Sequence, residues 1–113
     1  MKTKAALFTA ALMLAAAAAK AEPVRTERAA CNVVKTRVAA VRGFPTSSVA
    51  YCDVIPPDGS PAGLYVLALH SNRRCDGICS TTMGWFAVQR ATGRVFEWDV
   101  AEDRLGPPVG TGR

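Results

Sequence analysis

Cys75 and Cys79 lie four positions apart in the stretch RRCDGICSTTMGWFAV, which runs from Arg73 to Val88. Paired cysteines do one of three things: exchange electrons, hold a metal, or staple the chain. A redox-active dithiol usually has two residues between its cysteines and a helix start that stabilises one thiolate. Here Asp76, Gly77 and Ile78 intervene, the flanks read as a loop between strands, and the Asp76 carboxylate disfavours a neighbouring thiolate. A structural zinc site needs four closely placed ligands. Beyond its four cysteines the chain has a single histidine, His70. The pair is therefore read as a staple, with a small thiol-redox enzyme centred on Cys75 and Cys79 as the alternative.

All four cysteines, Cys31, Cys52, Cys75 and Cys79, follow residue 21, and four cysteines allow three pairings. The favoured one is Cys31–Cys52 with Cys75–Cys79. The first bridge closes a loop worth about 3 kcal/mol in the chain-entropy picture, the second about 2 kcal/mol at best. Gly77 permits the tight turn that the shorter loop requires. The crossed pairings stay open.

Other catalytic constellations are thin. Ser71, Ser80, Thr81 and Thr82 are near His70, but a Ser–His–acid site needs convergence in space and an oxyanion hole. There is no G-x-S-x-G elbow and no phosphate loop. Glu97 and Asp99 stand two residues apart on one strand face, about 7 Å by strand rise. Carboxylates at such a separation can serve inverting glycoside hydrolysis. Carboxylates on an open sheet face need no such explanation. No catalytic residue, cofactor or metal is assigned.

These residues need a compartment and a scaffold. The chain opens MKTKAALFTAALMLAAAAAKAEP: Lys2 and Lys4, an uncharged run from Ala5 to Ala19, then Ala19-Lys20-Ala21. That is the three-part layout of a secretory signal peptide, cut between Ala21 and Glu22. The run is shorter than the roughly 20 residues a membrane span needs. The expectation is export to the periplasm or the medium, with no stable membrane anchor after cleavage. Lys2, Lys4 and Lys20 leave with the leader, so 14 basic residues become 11 against 9 acidic, and the net charge falls from +5 to +2. A basic surface for nucleic acid is thus not indicated. Residues 22–113 suffice for one small domain, which gains from covalent staples in an oxidising compartment.

Glu27 to Arg42 reads as an amphipathic helix. Ala30, Val34, Val38 and Val41 share one face, and Arg28, Lys35 and Arg42 share another, which is read as solvated. Gly43 and Pro45 end it. Four strands follow: Ser47–Ile55, Leu64–Ser71, Met83–Arg90 and Val95–Glu102, with Pro56–Gly63 a turn-rich loop and Ala91–Arg94 a hairpin turn. The last strand alternates, so Phe96, Trp98 and Val100 are expected inward under the helix and Glu97 and Asp99 outward. Residues 104–113 are read as a loose tail. The fold class is α+β, one N-terminal helix on a four-stranded antiparallel sheet with two disulfides.

What remains is a binding surface. With Phe86 and Val88 in the core, Trp85 is expected on the open sheet face beside Glu97 and Asp99, with Arg73 and Arg74 in the adjacent loop. Tryptophan and arginine are favoured at interface hot spots.

The order of helix, Gly-Pro turn, strand, PPDG turn (56–59), YVLAL strand (65–69) and WFAVQRATGRVFEWDV (85–100) resembles small exported PepSY-like or cystatin-like domains. PepSY domains carry a strand, a Thr-Gly turn and a strand near their end. Here these are Phe86–Arg90, Thr92-Gly93 and the strand from Val95. The four cysteines and the Cys75–Cys79 loop depart from that pattern. The resemblance implies a non-catalytic regulatory or inhibitory module and supplies no site residues. The functional expectation is a small exported binding protein, an inhibitor or regulator of a periplasmic or secreted enzyme. An envelope protein that binds a small ligand is a further alternative.

Overall fold

The computed structural model describes residues 22–73, 77 and 80–110. Helix α1 spans Glu27–Arg42. The Thr26 hydroxyl accepts the Ala29 N–H at 3.0 Å, satisfying one of the donors that a helix start leaves open. Gly43, at φ 78°, takes the left-handed conformation that closes the other end, and its N–H returns to the Ala39 carbonyl. Five strands follow: β1 Val49–Val54, β2 Leu64–Ser71, β3 Thr82–Gln89, β4 Val95–Asp99 and β5 Arg104–Pro108. They form one antiparallel sheet in sequence order.

The helix covers one face of this sheet. Ala30, Val34 and Val38 meet Tyr65, Leu67 and Leu69 of β2, Phe86 and Val88 of β3 and Val95 of β4. Apolar burial of this kind is the main stabilising term. Val41 shares the helix face but is 46% exposed in the last turn, where Gly110 lies against it. Ala39 is buried instead. The expected α+β layer is present, with its helix bounds as read.

The end of the chain corrects the four-strand expectation. Arg104–Pro108 is a fifth strand, not part of a loose tail. Two interactions beyond the strand itself hold it. Val109 is 5% exposed within the core, and its N–H donates to the Val95 carbonyl. From α1, Arg37 donates to the carbonyls of Val109 at 3.3 Å and Gly110 at 2.9 Å. Gly106, Pro107 and Pro108 lower strand propensity, and an edge position tolerates prolines that donate no bond.

Cys31 of α1 and Cys52 of β1 form a disulfide with Cα atoms 6.0 Å apart, the favoured pairing. Cys75 and Cys79 lie outside the described residues, among which the one expected bridge that can be seen is Cys31–Cys52. The disulfide fits an oxidising, exported location. Among the described residues no helix is long and apolar enough to cross a membrane. The expected leader, residues 1–21, lies outside the described residues.

A strap at the start of the described chain crosses the β3–β4 hairpin. Glu22 N–H donates to the Thr92 carbonyl and Val24 N–H to the Arg90 carbonyl, while Val24 is buried. Gly93 permits this. Its φ is +76°, and a Cβ there would stand 2.9 Å from the Glu22 carbonyl oxygen. Gly93→Ala is therefore expected to cost about 1–2 kcal/mol from the left-handed backbone alone. Urea denaturation measures the loss, and faster amide exchange at Val24 locates it.

Candidate functional site: the uncovered sheet face

Strand register decides which side chains share a face. In the β3–β4 hairpin Phe86 pairs with Glu97, Ala87 with Phe96 and Val88 with Val95. Directly paired residues point to the same side. Phe86 and Val88 face the helix, so Glu97 faces it too. Phe96 and Trp98 then point to the opposite face. This reverses the expectation that Phe96 and Trp98 pack under the helix and that Glu97 and Asp99 line the open face. The alternation along β4 was legible; its phase was not. Val100 falls in the turn after β4 and is 56% exposed.

The carboxylates have local partners. Glu97 Oε2 accepts from Arg42 Nη2 at 3.0 Å, with both side chains over a third exposed. A half-exposed pair of this kind is worth about 1 kcal/mol or less. The same guanidinium donates to the Met83 carbonyl and lies 5.2 Å from the Phe86 ring centroid. Arg42, expected on a solvated stripe, thus clamps the end of α1 to the sheet. Asp99 Oδ1 accepts the Glu102 N–H at 3.0 Å and shapes the β4–β5 turn. Neither carboxylate stands with Trp85.

Trp85 lies on the uncovered face, as expected, among different neighbours. Val66, Ala87 and Trp98 form a second apolar cluster there, with Ile55, Leu64 and Trp85 packed against it. Trp85 pairs with Ala68. Ala68 and Ala87 are fully buried, so small residues under large rings allow the face to shield itself. No described helix or strand lies over it. Among the described residues the indole N–H groups of Trp85 and Trp98 make no hydrogen bond; Trp85 is half-buried and Trp98 is 8% exposed. Half-buried Trp85 thus presents an apolar ring with a free polar edge, the combination favoured at interfaces.

The aromatic surface continues towards β1. Tyr51 is 56% exposed and stacks on His70, with ring centroids 4.4 Å apart. His70 Nδ1 lies 3.3 Å from Thr81 Oγ1, so the histidine is engaged beside the β2–β3 connection. Sequence reasoning missed Trp98, Phe96 and Tyr51 as members of this face. For the first two the deciding fact is the hairpin register, which the structure supplies. A hairpin that closes with Gln89 opposite Arg94, as the bond from Gln89 N–H to the Arg94 carbonyl shows, places residue 97 across from residue 86.

Arg73 is separate from the tryptophans. It lines a cleft of about 500 Å³ with Phe44, Ser71, Ser80, Thr82 and Met83 at one end of the sheet. Arg74, the other expected basic residue, lies outside the described residues. Among the described residues no group of three His, Cys, Asp or Glu side chains is placed to hold a metal ion.

Helix on one face, aromatic residues on the other and a disulfide from helix to edge strand define the class: a stapled two-layer α+β domain whose second sheet face no described element covers. No protein-family model, curated protein or solved structure matches this chain.

Proposed function

We propose that this chain is a small exported binding protein without catalytic activity, which takes another exported protein on the uncovered face of its sheet and restrains or regulates it. A periplasmic or secreted enzyme is the intended kind of partner. The observation that supports the reading is the face itself: half-buried Trp85 packed on Val66, Ala87 and Trp98, with exposed Tyr51 on the same face. Such rings contribute large contact area at little cost in side-chain entropy. The resemblance to PepSY-like and cystatin-like modules points the same way, as does the disulfide's fit to an oxidising compartment.

Affinity capture from periplasmic extract tests this reading. The wild-type protein is expected to retain a discrete partner. Trp85→Ala, checked for folding by its thermal transition, is expected to weaken retention by about tenfold or more. A wild-type protein that retains nothing, or retention that Trp85→Ala leaves unchanged, overturns it.

A further inference from the structure

The two edges of the sheet are unlike. β5 ends in Gly106-Pro107-Pro108, and its prolines have no N–H to offer another strand. β1 contains no proline or glycine, and among the described residues no strand pairs with its outer side.

Register identifies the groups that β1 presents. Ile55 N–H donates to the Val66 carbonyl at 2.9 Å, in line with the pairs Tyr51–His70, Cys52–Leu69, Asp53–Ala68 and Val54–Leu67. Hydrogen-bonded and non-bonded pairs alternate in an antiparallel ladder. Ile55, Asp53 and Tyr51 therefore bond inward to β2. Cys52 and Val54 turn their N–H and C=O groups outward. A register shift between Val49 and Tyr51 ends the regular edge on that side, and Pro56 ends it on the other. The Cys31–Cys52 bridge ties the middle of this edge to α1, so a docking strand meets a backbone already in place.

We propose that β1 is a strand-addition site, and that the bound partner protein supplies an extended segment that pairs antiparallel with Cys52–Val54 and carries a lysine or arginine opposite Asp53. This inference rests on the binding-protein reading and names its contact. Charge selects the occupant. Asp53 is exposed on the uncovered face and forms no ion pair among the described residues. In the two-fold register that bonds both Cys52 and Val54, a second copy of this chain would set Asp53 against Asp53. That is a non-hydrogen-bonded pair, whose side chains are closest, and like charges there are destabilising. A basic residue at the same place is favoured. Exposed Tyr51 flanks it as an aromatic contact. Main-chain bonds then supply affinity and these alternate side chains supply specificity.

Photo-crosslinking with the full chain in an exporting host tests this. A p-benzoylphenylalanine replaces Tyr51 beside the edge, Trp85 on the face or Leu105 on the β5 edge, in separate samples. Adducts are mapped by mass spectrometry. The Tyr51 position is expected to label a partner segment containing a lysine or arginine, and the Leu105 position is not. Val54→Pro removes one outward N–H and no bond to β2 but also replaces a side chain packed on the core, so its thermal midpoint is read alongside; it is expected to lower the Tyr51-position adduct about tenfold or more. Asp53→Lys leaves every backbone group intact and is expected to lower it comparably, which keeps the test open should the proline variant misfold. Adducts from the Trp85 position with none from Tyr51, or Tyr51 adducts indifferent to both variants, overturn strand addition while the binding reading stands. An adduct between two copies of this chain overturns the hetero-partner. Silence from all three positions removes the binding reading together with this one.

Discussion

Phe86→Ala is expected to destabilise the domain by about 3–5 kcal/mol, the usual cost of emptying a fully buried phenylalanine site. Phe86 has no exposed surface and sits among Val34, Val38, Leu67, Leu69 and Val88 beneath α1. Its ring also receives the Arg42 guanidinium, whose other nitrogens reach Met83 and Glu97. Truncation therefore opens a cavity and loosens the clamp at the helix end together. A small domain has about 5–15 kcal/mol of total stability, with small ones at the lower end, so the variant is expected near the limit of folding. Urea denaturation followed by tryptophan fluorescence gives the number. Val41→Ala on the same helix face is the comparator. Val41 is 46% exposed, and its loss is expected to stay within about 0.5 kcal/mol. Equal effects at the two positions would refute the core as described.

The second large effect is expected from the disulfide. Replacing Cys31 and Cys52 together by serine is expected to cost about 3 kcal/mol, from the unfolded-chain entropy that a bridge of this span removes. Their separation in sequence is 21 residues. The loss has a location as well as a size. β1 is an edge strand held by β2 on one side, and the bridge is its covalent tie to the helix. Amide exchange is expected to quicken first at Tyr51 and Asp53, whose N–H groups bond to β2, and only later in β2 and β3. Uniform quickening across the sheet would show that the bridge acts on global unfolding alone. Unchanged urea midpoints in the serine variant would remove its structural role altogether. The same variant bears on strand addition, because a loosened β1 is a poorer template for a partner.

Local chemistry was legible along the chain wherever one interaction range sufficed. The repeat of Ala30, Val34 and Val38 marked the buried helix stripe, and Gly43 marked its end. β-branched and aromatic runs separated by Pro56–Gly63 and by Ala91–Arg94 marked the strands. Cysteine count and spacing favoured Cys31–Cys52 among three pairings, since that bridge joins the helix to the first strand. Alternation on β4 was equally plain. All of these depend on residues within a turn, a pleat or a connecting loop of one another.

The tertiary structure decided the rest, for reasons of phase and partnership. Alternation separates two faces without saying which lies under the helix; that choice is made by pairing with β3, where Glu97 stands beside Phe86. Arg42 then gives Glu97 a partner on the helix side, and Ala68 and Ala87 give Trp85 and Trp98 a floor on the other. The fifth strand was hidden by Gly106, Pro107 and Pro108, residues that lower local propensity. Burial of Val109 and two bonds from Arg37, 72 and 73 residues away in sequence, override it. The chain by itself determined a helix and a set of antiparallel strands, and it favoured a disulfide between the first two elements without excluding the crossed pairings. Which face stays free, and which edge stays open, were settled only when distant strands came into register, because a side chain's direction in a sheet is a property of the pair and not of the strand.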